Sequence, residues 1–343
     1  SLSNACDPDT ALTNLVAIVN AAVSRGESLD GIMPDQQAFV RMITVLGVSD
    51  AMGKLMRFHP DLVQAASSDA DNTYLYNHAQ RRASMLRAIG ADPDEMDAPE
   101  SSMELADAAT ALRVTYYRQL AAIMAQDATA PDPCIAQPTI SRELSDLADA
   151  ALEGALAIAR HEVEGSEHVR FVVIGMGKLG AQELNYVSDV DLIYAVEPAD
   201  DAIGSQELFR IGTKMGTTMQ RVCQSVIMGV AVPALWQIDG GLRPEGKDGP
   251  LVRTIESHRG YYEQWAESWE FQALLKARPV AGDRALGQAY MDMTRPFVWS
   301  ASKRDNFVYD CQQMRKRVEN LIAPPLKDRE IKLGRGGLRD VEF

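Results

Sequence analysis

The sequence predicts an α+β chain, predominantly helical, with a small mixed sheet in its middle and helical segments on both sides. Three observations predict it. Apolar residues recur at helical spacing through residues 1–127 and again beyond about Asp283, whereas apolar runs of strand length occur only between Phe171 and Asp239. Between the first helices and that region, Pro131, Pro133 and Pro138 crowd one stretch and predict a connection instead of a helix. The expected divisions are a helical domain over 1–135, a sheet-containing domain over 136–283, and the start of a C-terminal helical bundle over 284–343.

Taken in order, Asp35 is placed to cap a helix whose Phe39, Met42, Ile43 and Leu46 fall at i, i+3, i+4 and i+7, with Gly47 closing it. Ser49 caps the next helix, which turns Met52, Leu55 and Met56 inward, and His59-Pro60 breaks the run. A longer helix from about Ser102 to Gln126 buries Leu105, Ala109, Leu112, Tyr116, Leu120 and Ile123. After the proline-rich stretch, Leu144, Leu147, Ala151, Leu152 and Leu156 mark another helix, which leads into the strand Phe171–Ile174. A second strand ends at Tyr194–Glu197, a helix runs from about Ser205 to Met228, and Val232–Asp239 reads as a third strand before the turn-rich Gly240–Gly249. No internal repeat or low-complexity segment is visible.

Composition narrows the function. At 343 residues, 46% hydrophobic and 24% charged, the chain is long enough for two or three cores. It has no apolar run of the roughly 20 residues that span a bilayer and no signal-like start, so no membrane association and a cytoplasmic location are expected. The net charge of −14 argues against general affinity for nucleic acid. Residues 303–343 carry ten Lys/Arg against seven Asp/Glu, a net of +3 that leaves −17 for the remainder, so an anionic substrate or a solvated basic face is possible at that end. Cys6, Cys134, Cys223 and Cys311 have no Cys-x-x-Cys spacing and are expected to be small buried apolar residues, not a zinc site or disulfides.

The chemistry concentrates in one stretch. Gly175-Met-Gly-Lys-Leu-Gly180 follows a strand and is followed by Ser188, Asp189 and Asp191 at the start of the next. In a strand the two carboxylates project from one face, a geometry suited to a divalent cation carrying nucleotide phosphates. The glycines satisfy G-x-G-x-x-G literally, and Glu197 lies near the acidic position of a dinucleotide fold. A run of βα units is missing, however, and paired acids at the start of the second strand have no role in such a fold. A P-loop would need glycine at Val172 and a hydroxyl at Leu179. The third reading is a nucleotidyltransferase, which needs a further carboxylate from a neighbouring strand. Asp239 supplies it, at the end of the third strand and on the face of Leu235 and Gln237, ahead of Arg243 and Lys247 as possible phosphate contacts.

Gly-Met-Gly-Lys-Leu-Gly-x-x-Glu-Leu-Asn-x-x-Ser-Asp-x-Asp-Leu at 175–192 resembles the glutamine-synthetase adenylyltransferase family, bifunctional enzymes that add AMP to a tyrosine of glutamine synthetase and remove it. The likeness continues through Leu242-Arg-Pro-Glu-Gly-Lys-Asp-Gly-Pro-Leu251, Trp269-Glu-Phe-Gln-Ala-Leu-Leu-Lys-Ala-Arg278 and Ile331-Lys-Leu-Gly-Arg-Gly-Gly-Leu-Arg-Asp-Val-Glu-Phe343. Weaker matches at Val45-Leu-Gly-Val-Ser and His59-Pro-Asp-Leu extend it over nearly the whole chain. Gly241 stands where many members have an arginine, in the manner expected of actinobacterial members.

What the resemblance implies is a polymerase-β-like nucleotidyltransferase core over 136–283 in a tandem of two related units. Arg339 ahead of Asp340, and the long helical region before the glycine motif, look like the N-terminal, adenylyl-removing unit. In that activity inorganic phosphate attacks the AMP–tyrosine linkage and ADP is released; the adenylylating unit uses ATP and releases pyrophosphate. The chain stops inside a motif and is expected to be a fragment without the second unit. Asp189, Asp191 and Asp239 are then the expected Mg²⁺ ligands and catalytic acids, with Gly175, Gly177, Lys178, Ser188, Arg243 and Lys247 as nucleotide or phosphate contacts. Lys276, Arg278, Lys332, Arg335 and Arg339 rank lower, Glu183 and Glu342 have no assigned role, and His258 is not expected to be catalytic. Expected partners are glutamine synthetase, phosphate and AMP or ADP, and possibly a PII signalling protein. The alternatives are the ATP-dependent adenylylating unit, a non-catalytic module that binds glutamine synthetase or PII, and, distantly, an NAD-binding oxidoreductase.

Overall fold

A computed structural model describes residues 2–27, 35–67, 76–327 and 329–342. Four helices open the chain: α1 (Pro8–Arg25), α2 (Gln36–Val48), α3 (Asp50–Met56) and α4 (Pro60–Ser67). Asp35 and Ser49 cap α2 and α3 as their sequence positions predict, accepting from the backbone N–H of Ala38 and Met52. Gly47 does not end α2. It sits inside the helix, where a Cβ would press on Ala5 at 2.8 Å, so its function is close packing. With Ala121, Ala122, Met124 and Ala125 from a later helix, these helices form one apolar core around Ile18, Met42, Ile43, Leu46 and Leu62.

Next come α5 (His78–Ala88), α6 (Leu105–Ala128) and α7 (Pro133–Glu162). Here the proline argument fails. Pro133 occupies the first helical position, where a missing N–H has no partner to lose, and Asp132 caps the turn by accepting from Cys134 and Ile135 N–H. Pro138 sits only five residues further on, so it removes one bond near the start of a 30-residue helix. Burial of Leu144, Leu147, Leu152, Leu156 and Ile158 offsets that loss.

The sheet follows: β1 (Val169–Gly175), the single turn α8 (Gly177–Gly180), β2 (Val190–Pro198), α9 (Ser205–Gln224), β3 (Ile238–Asp239), β4 (Val252–Arg253), α10 (Ile255–Gln264), α11 (Ser268–Leu274) and β5 (Arg278–Gly282). The chain then closes with α12 (Arg284–Ala301), α13 (Phe307–Asn320) and α14 (Leu338–Glu342). The strand order is β3-β2-β1-β5, with β4 also on β2; β1 pairs antiparallel with β2 and β5, whereas β3 and β4 run parallel to β2. β3 and β4 therefore share one edge of β2, and residues 240–251 loop out between them.

Both faces of the sheet are covered. Phe171, Val173, Leu192, Tyr194 and Val196 join the core of α5, α6, α7 and α9, while Val172, Ile174, Ile193 and Ala195 face α10, α11 and α12. This burial explains why β1 and β2 read as unbroken apolar runs instead of alternating ones.

Two further expectations are corrected. Val232–Asp239 is a strand only at Ile238–Asp239. Side chains of α6 take the preceding backbone: Arg113 donates to the carbonyls of Val222, Ser225 and Val232, and Tyr117 Oη donates to Ala234 O at 2.7 Å. The carbonyls at 232 and 234 are thus held by a helix, not by a neighbouring strand. Of the cysteines only Cys223 is buried; Cys6 and Cys134 lie exposed in the first turns leading into α1 and α7, and none is in a disulfide. Among the described residues no helix is long and apolar enough to cross a membrane.

Candidate active site

Asp191 and Asp239 face each other in register across the parallel β2–β3 pair, and Asp189 precedes β2 by one residue on the same alternating side. Two short-range features hold them. Gly241 N–H donates to Asp239 Oδ1 at 2.7 Å, and the Met176 N–H donates to the Asp191 carbonyl at 2.8 Å, which ties the glycine turn to β2. Gly177 has φ +53°, and a Cβ there would overlap Asp191 Oδ2, so this position needs glycine on two counts. Gly175 and Gly180 serve packing: a Cβ on Gly175 would meet Val280 at 2.7 Å, and one on Gly180 would run into the Lys276 carbonyl.

The acids open onto a cavity of about 940 Å³. Gly177, Lys178 and Ser188 line it with the three aspartates, whereas Gly175, Arg243 and Lys247 are not among its lining residues. Arg243 turns inward, its guanidinium donating to the carbonyls of Gly240, Lys247 and Gly249, so it shapes the 240–251 loop. Lys247 is exposed on that loop. Lys178 Nζ reaches the side-chain oxygen of Asn185 at 3.3 Å once the Asn185 amide is oriented to satisfy both of its ends. Ser188 Oγ donates to the Asp189 carbonyl at 3.1 Å.

The C-terminal segment completes the cavity with Lys332, Arg339 and Glu342, and Glu342 accepts from Arg339 at 2.6 Å. Phe343, the last residue of that motif, lies outside the described residues. Burial pushes the Asp191 carboxyl above its ordinary range; Asp239 and Asp189 push it the same way, while Arg339 and Lys332 draw it down. Carboxylate oxygens of this kind are hard donors, the type that divalent cations such as Mg²⁺ take.

Among the described residues, Asp189, Asp191 and Asp239 do not converge as closely as one other group, which brings its donor atoms within 4.8 Å of one another: His78, Asp146 and Asp149. Here the acids are already engaged. Asp149, 1% exposed at its side chain, accepts from Arg278 through both oxygens at 2.6 and 3.1 Å, and Asp146 accepts from Gln182. A guanidinium on both oxygens repels a further cation, so Asp149 is poorly placed to ligate a metal.

Arg278 also donates to the Leu179 and Gly180 carbonyls, which carries the α7 charge to the glycine turn. His78 stands 3.5 Å from Asp149, and that contact raises its pKa, against burial. The bond therefore stabilises the fold below the ordinary imidazole value near 6.5 and is lost as pH rises through the higher folded value. Thermal melts should show His78→Gln less stable than the parent below about pH 6 and equal to it under alkaline conditions. An equal gap at both pH values would show that His78 acts by packing alone.

Other residues resolve plainly. Glu183 pairs with Lys276 at 3.0 Å on the cavity edge, and Arg335 stands near Asp340. His258 is buried beneath the Tyr194 carbonyl, and desolvation lowers its pKa to about 3, which keeps it neutral and structural. The sequence reading missed Tyr186, Trp236, Trp269 and Gln272 as lining residues. The available signal was the spacing Trp269, Gln272, Ala273, Lys276, which is one face of a helix.

Residues 39–293 match the family model for "Glutamate-ammonia ligase adenylyltransferase". Over its full length the chain is 74% identical to the "Bifunctional glutamine synthetase adenylyltransferase/adenylyl-removing enzyme" of Bifidobacterium longum (strain DJO10A), covering 32% of that protein. It is 41% identical to the enzyme of the same name from Cutibacterium acnes over 343 residues, and 42% identical to that of Streptomyces avermitilis over 352 residues, covering 34% and 32% of them. These relatives are actinobacterial, and the chain spans about a third of their length.

Proposed function

The chain belongs to the glutamate-ammonia ligase adenylyltransferase family, and from that premise we propose that it removes AMP from an adenylylated tyrosine of glutamine synthetase, using inorganic phosphate and releasing ADP. The observation that carries this reading is the facing pair Asp191 and Asp239, with Asp189 beside them and Lys332 and Arg339 in the same cavity. Acids and cations in one cleft suit a reaction in which one phosphate anion attacks another.

In this reaction a phosphate oxygen forms a bond to the phosphorus of AMP as the bond to the tyrosyl oxygen breaks. The products are ADP and the free tyrosine hydroxyl. A divalent cation held by Asp189, Asp191 and Asp239, Mg²⁺ by preference, would supply neutralising charge for the phosphoryl oxygens. Lys332 and Arg339 offset the charge of the incoming phosphate, and Glu342 holds Arg339 in place. Lys178 is a third cation of the cleft, and Gly177 leaves room at Asp191 that a side chain would fill. Glutamine synthetase is the protein partner in this proposal, and the cytoplasm is its place of action.

The relatives' names carry both directions, and ATP-dependent adenylylation could use the same acids. Incubating the purified chain with adenylylated glutamine synthetase, Mg²⁺ and phosphate should yield ADP. Pyrophosphate formed from ATP and unmodified glutamine synthetase would assign the opposite direction. Binding of glutamine synthetase without turnover in either assay would leave the chain as a docking module.

A further inference from the structure

α11 divides its residues between two environments. Ser268, Glu270, Phe271 and Leu274 are buried, and Phe271 and Leu274 pack into the core beneath the sheet. Trp269, Gln272 and Ala273, followed by Lys276 just past the helix, line the cavity. Met314 and Val318, one turn apart on α13, line it too. The site acids therefore share their cavity with an indole and an aliphatic wall. Trp269 Nε1–H donates to Glu267 Oε2 at 2.9 Å, which orients the indole.

From this we infer that the α11–α13 wall is the nucleobase subsite, with the Trp269 ring as the surface on which the purine of the nucleotide stacks. The inference rests on the nucleotidyltransferase reading above and adds to it where the base sits. A nucleoside monophosphate has an anionic end and a flat heteroaromatic end joined by a sugar, and this cavity offers carboxylates and cations together with an apolar aromatic surface. A tyrosine carried on a protein must instead arrive from solvent. The rim beside Asp189 suits that approach, because Val187 there is 93% exposed. An indole oriented by Glu267 loses less freedom when a base stacks on it than a freely rotating one would.

The test is equilibrium binding of AMP and of ribose 5-phosphate, which keeps sugar and phosphate but lacks the base, to the 343-residue chain with Mg²⁺. Stacking on an aromatic side chain is worth about 1–3 kcal/mol, so Trp269→Leu should weaken AMP about 5- to 150-fold and leave ribose 5-phosphate unchanged. Trp269→Phe should keep most of the AMP affinity. Ala273→Leu narrows the wall without touching Trp269 and should likewise weaken AMP selectively, which covers the case of a poorly folded Trp269→Leu. Unchanged AMP affinity in both Trp269→Leu and Ala273→Leu overturns the subsite, as does an equal loss for both ligands. A parent chain that binds neither ligand would remove the nucleotidyltransferase reading together with the subsite.

Discussion

Asp191→Asn should lower ADP release from adenylylated glutamine synthetase by about 10³-fold or more while leaving the metal-free chain at least as stable as the parent. The two effects have one cause. Asp191 is held near Asp239 and Asp189 and is partly desolvated, so its ionised form is disfavoured and its pKa is raised. For a carboxyl with a raised folded pKa, the folded state binds its proton more tightly than the unfolded chain does. Stability then falls as pH climbs through the interval between the two values, and the loss persists at neutral pH. Asparagine removes the charge that the fold tolerates badly and the chemistry requires. Mg²⁺ should raise the thermal midpoint of the parent and do little for the variant, because only an intact donor set gains from binding. A variant with full ADP release, or one that loses activity because it melts many degrees below the parent, would refute the metal-ligand role.

Asp149→Asn should cost about 3–5 kcal/mol of folding free energy, the usual loss when a buried ion pair is left with one partner. Asp149 is 1% exposed at its side chain and Arg278 26%, and their two hydrogen bonds join α7 to the first residue of β5. Arg278 also caps the Leu179 and Gly180 carbonyls. The variant should therefore loosen the glycine turn and lower activity as well as stability, although neither residue is among those lining the cavity. Urea or thermal unfolding measures the first effect, and the ADP assay the second. The double variant Asp149→Asn with Arg278→Met should lose less than the sum of the single losses, because it leaves no uncompensated charge. Simple additivity would show that the pair is not coupled.

Much of the site could be read in advance. The spacing Asp189-x-Asp191 puts two carboxylates on one face in any strand, and the acid at the end of the next short strand stands in register with Asp191. The cations were harder to place. Arg243 looked like a phosphate contact, but a loop closed by glycines offered its guanidinium three nearer carbonyls. Lys332 and Arg339 ranked low in the sequence, yet they line the cavity with the acids. Nothing local distinguishes these fates, because a cation takes whatever acceptors the folded chain brings within reach.

The same limit applies to the backbone. The core-facing positions of α2, α6 and α9 follow from apolar periodicity, which is set by residues three and four apart and needs no knowledge of the fold. Pro133 and Pro138 misled, because a proline's cost depends on its place in a helix and on what that helix buries. The sequence by itself determined the helical content, the strand that carries the paired aspartates and the family. Only the tertiary structure decided that Arg113 would hold residues 222–232 against α6, that Arg278 would find Asp149, and that Trp269 would face the cavity. Periodicity and motif spacing are local, whereas a desolvated polar group must find its partner wherever the chain's packing delivers one.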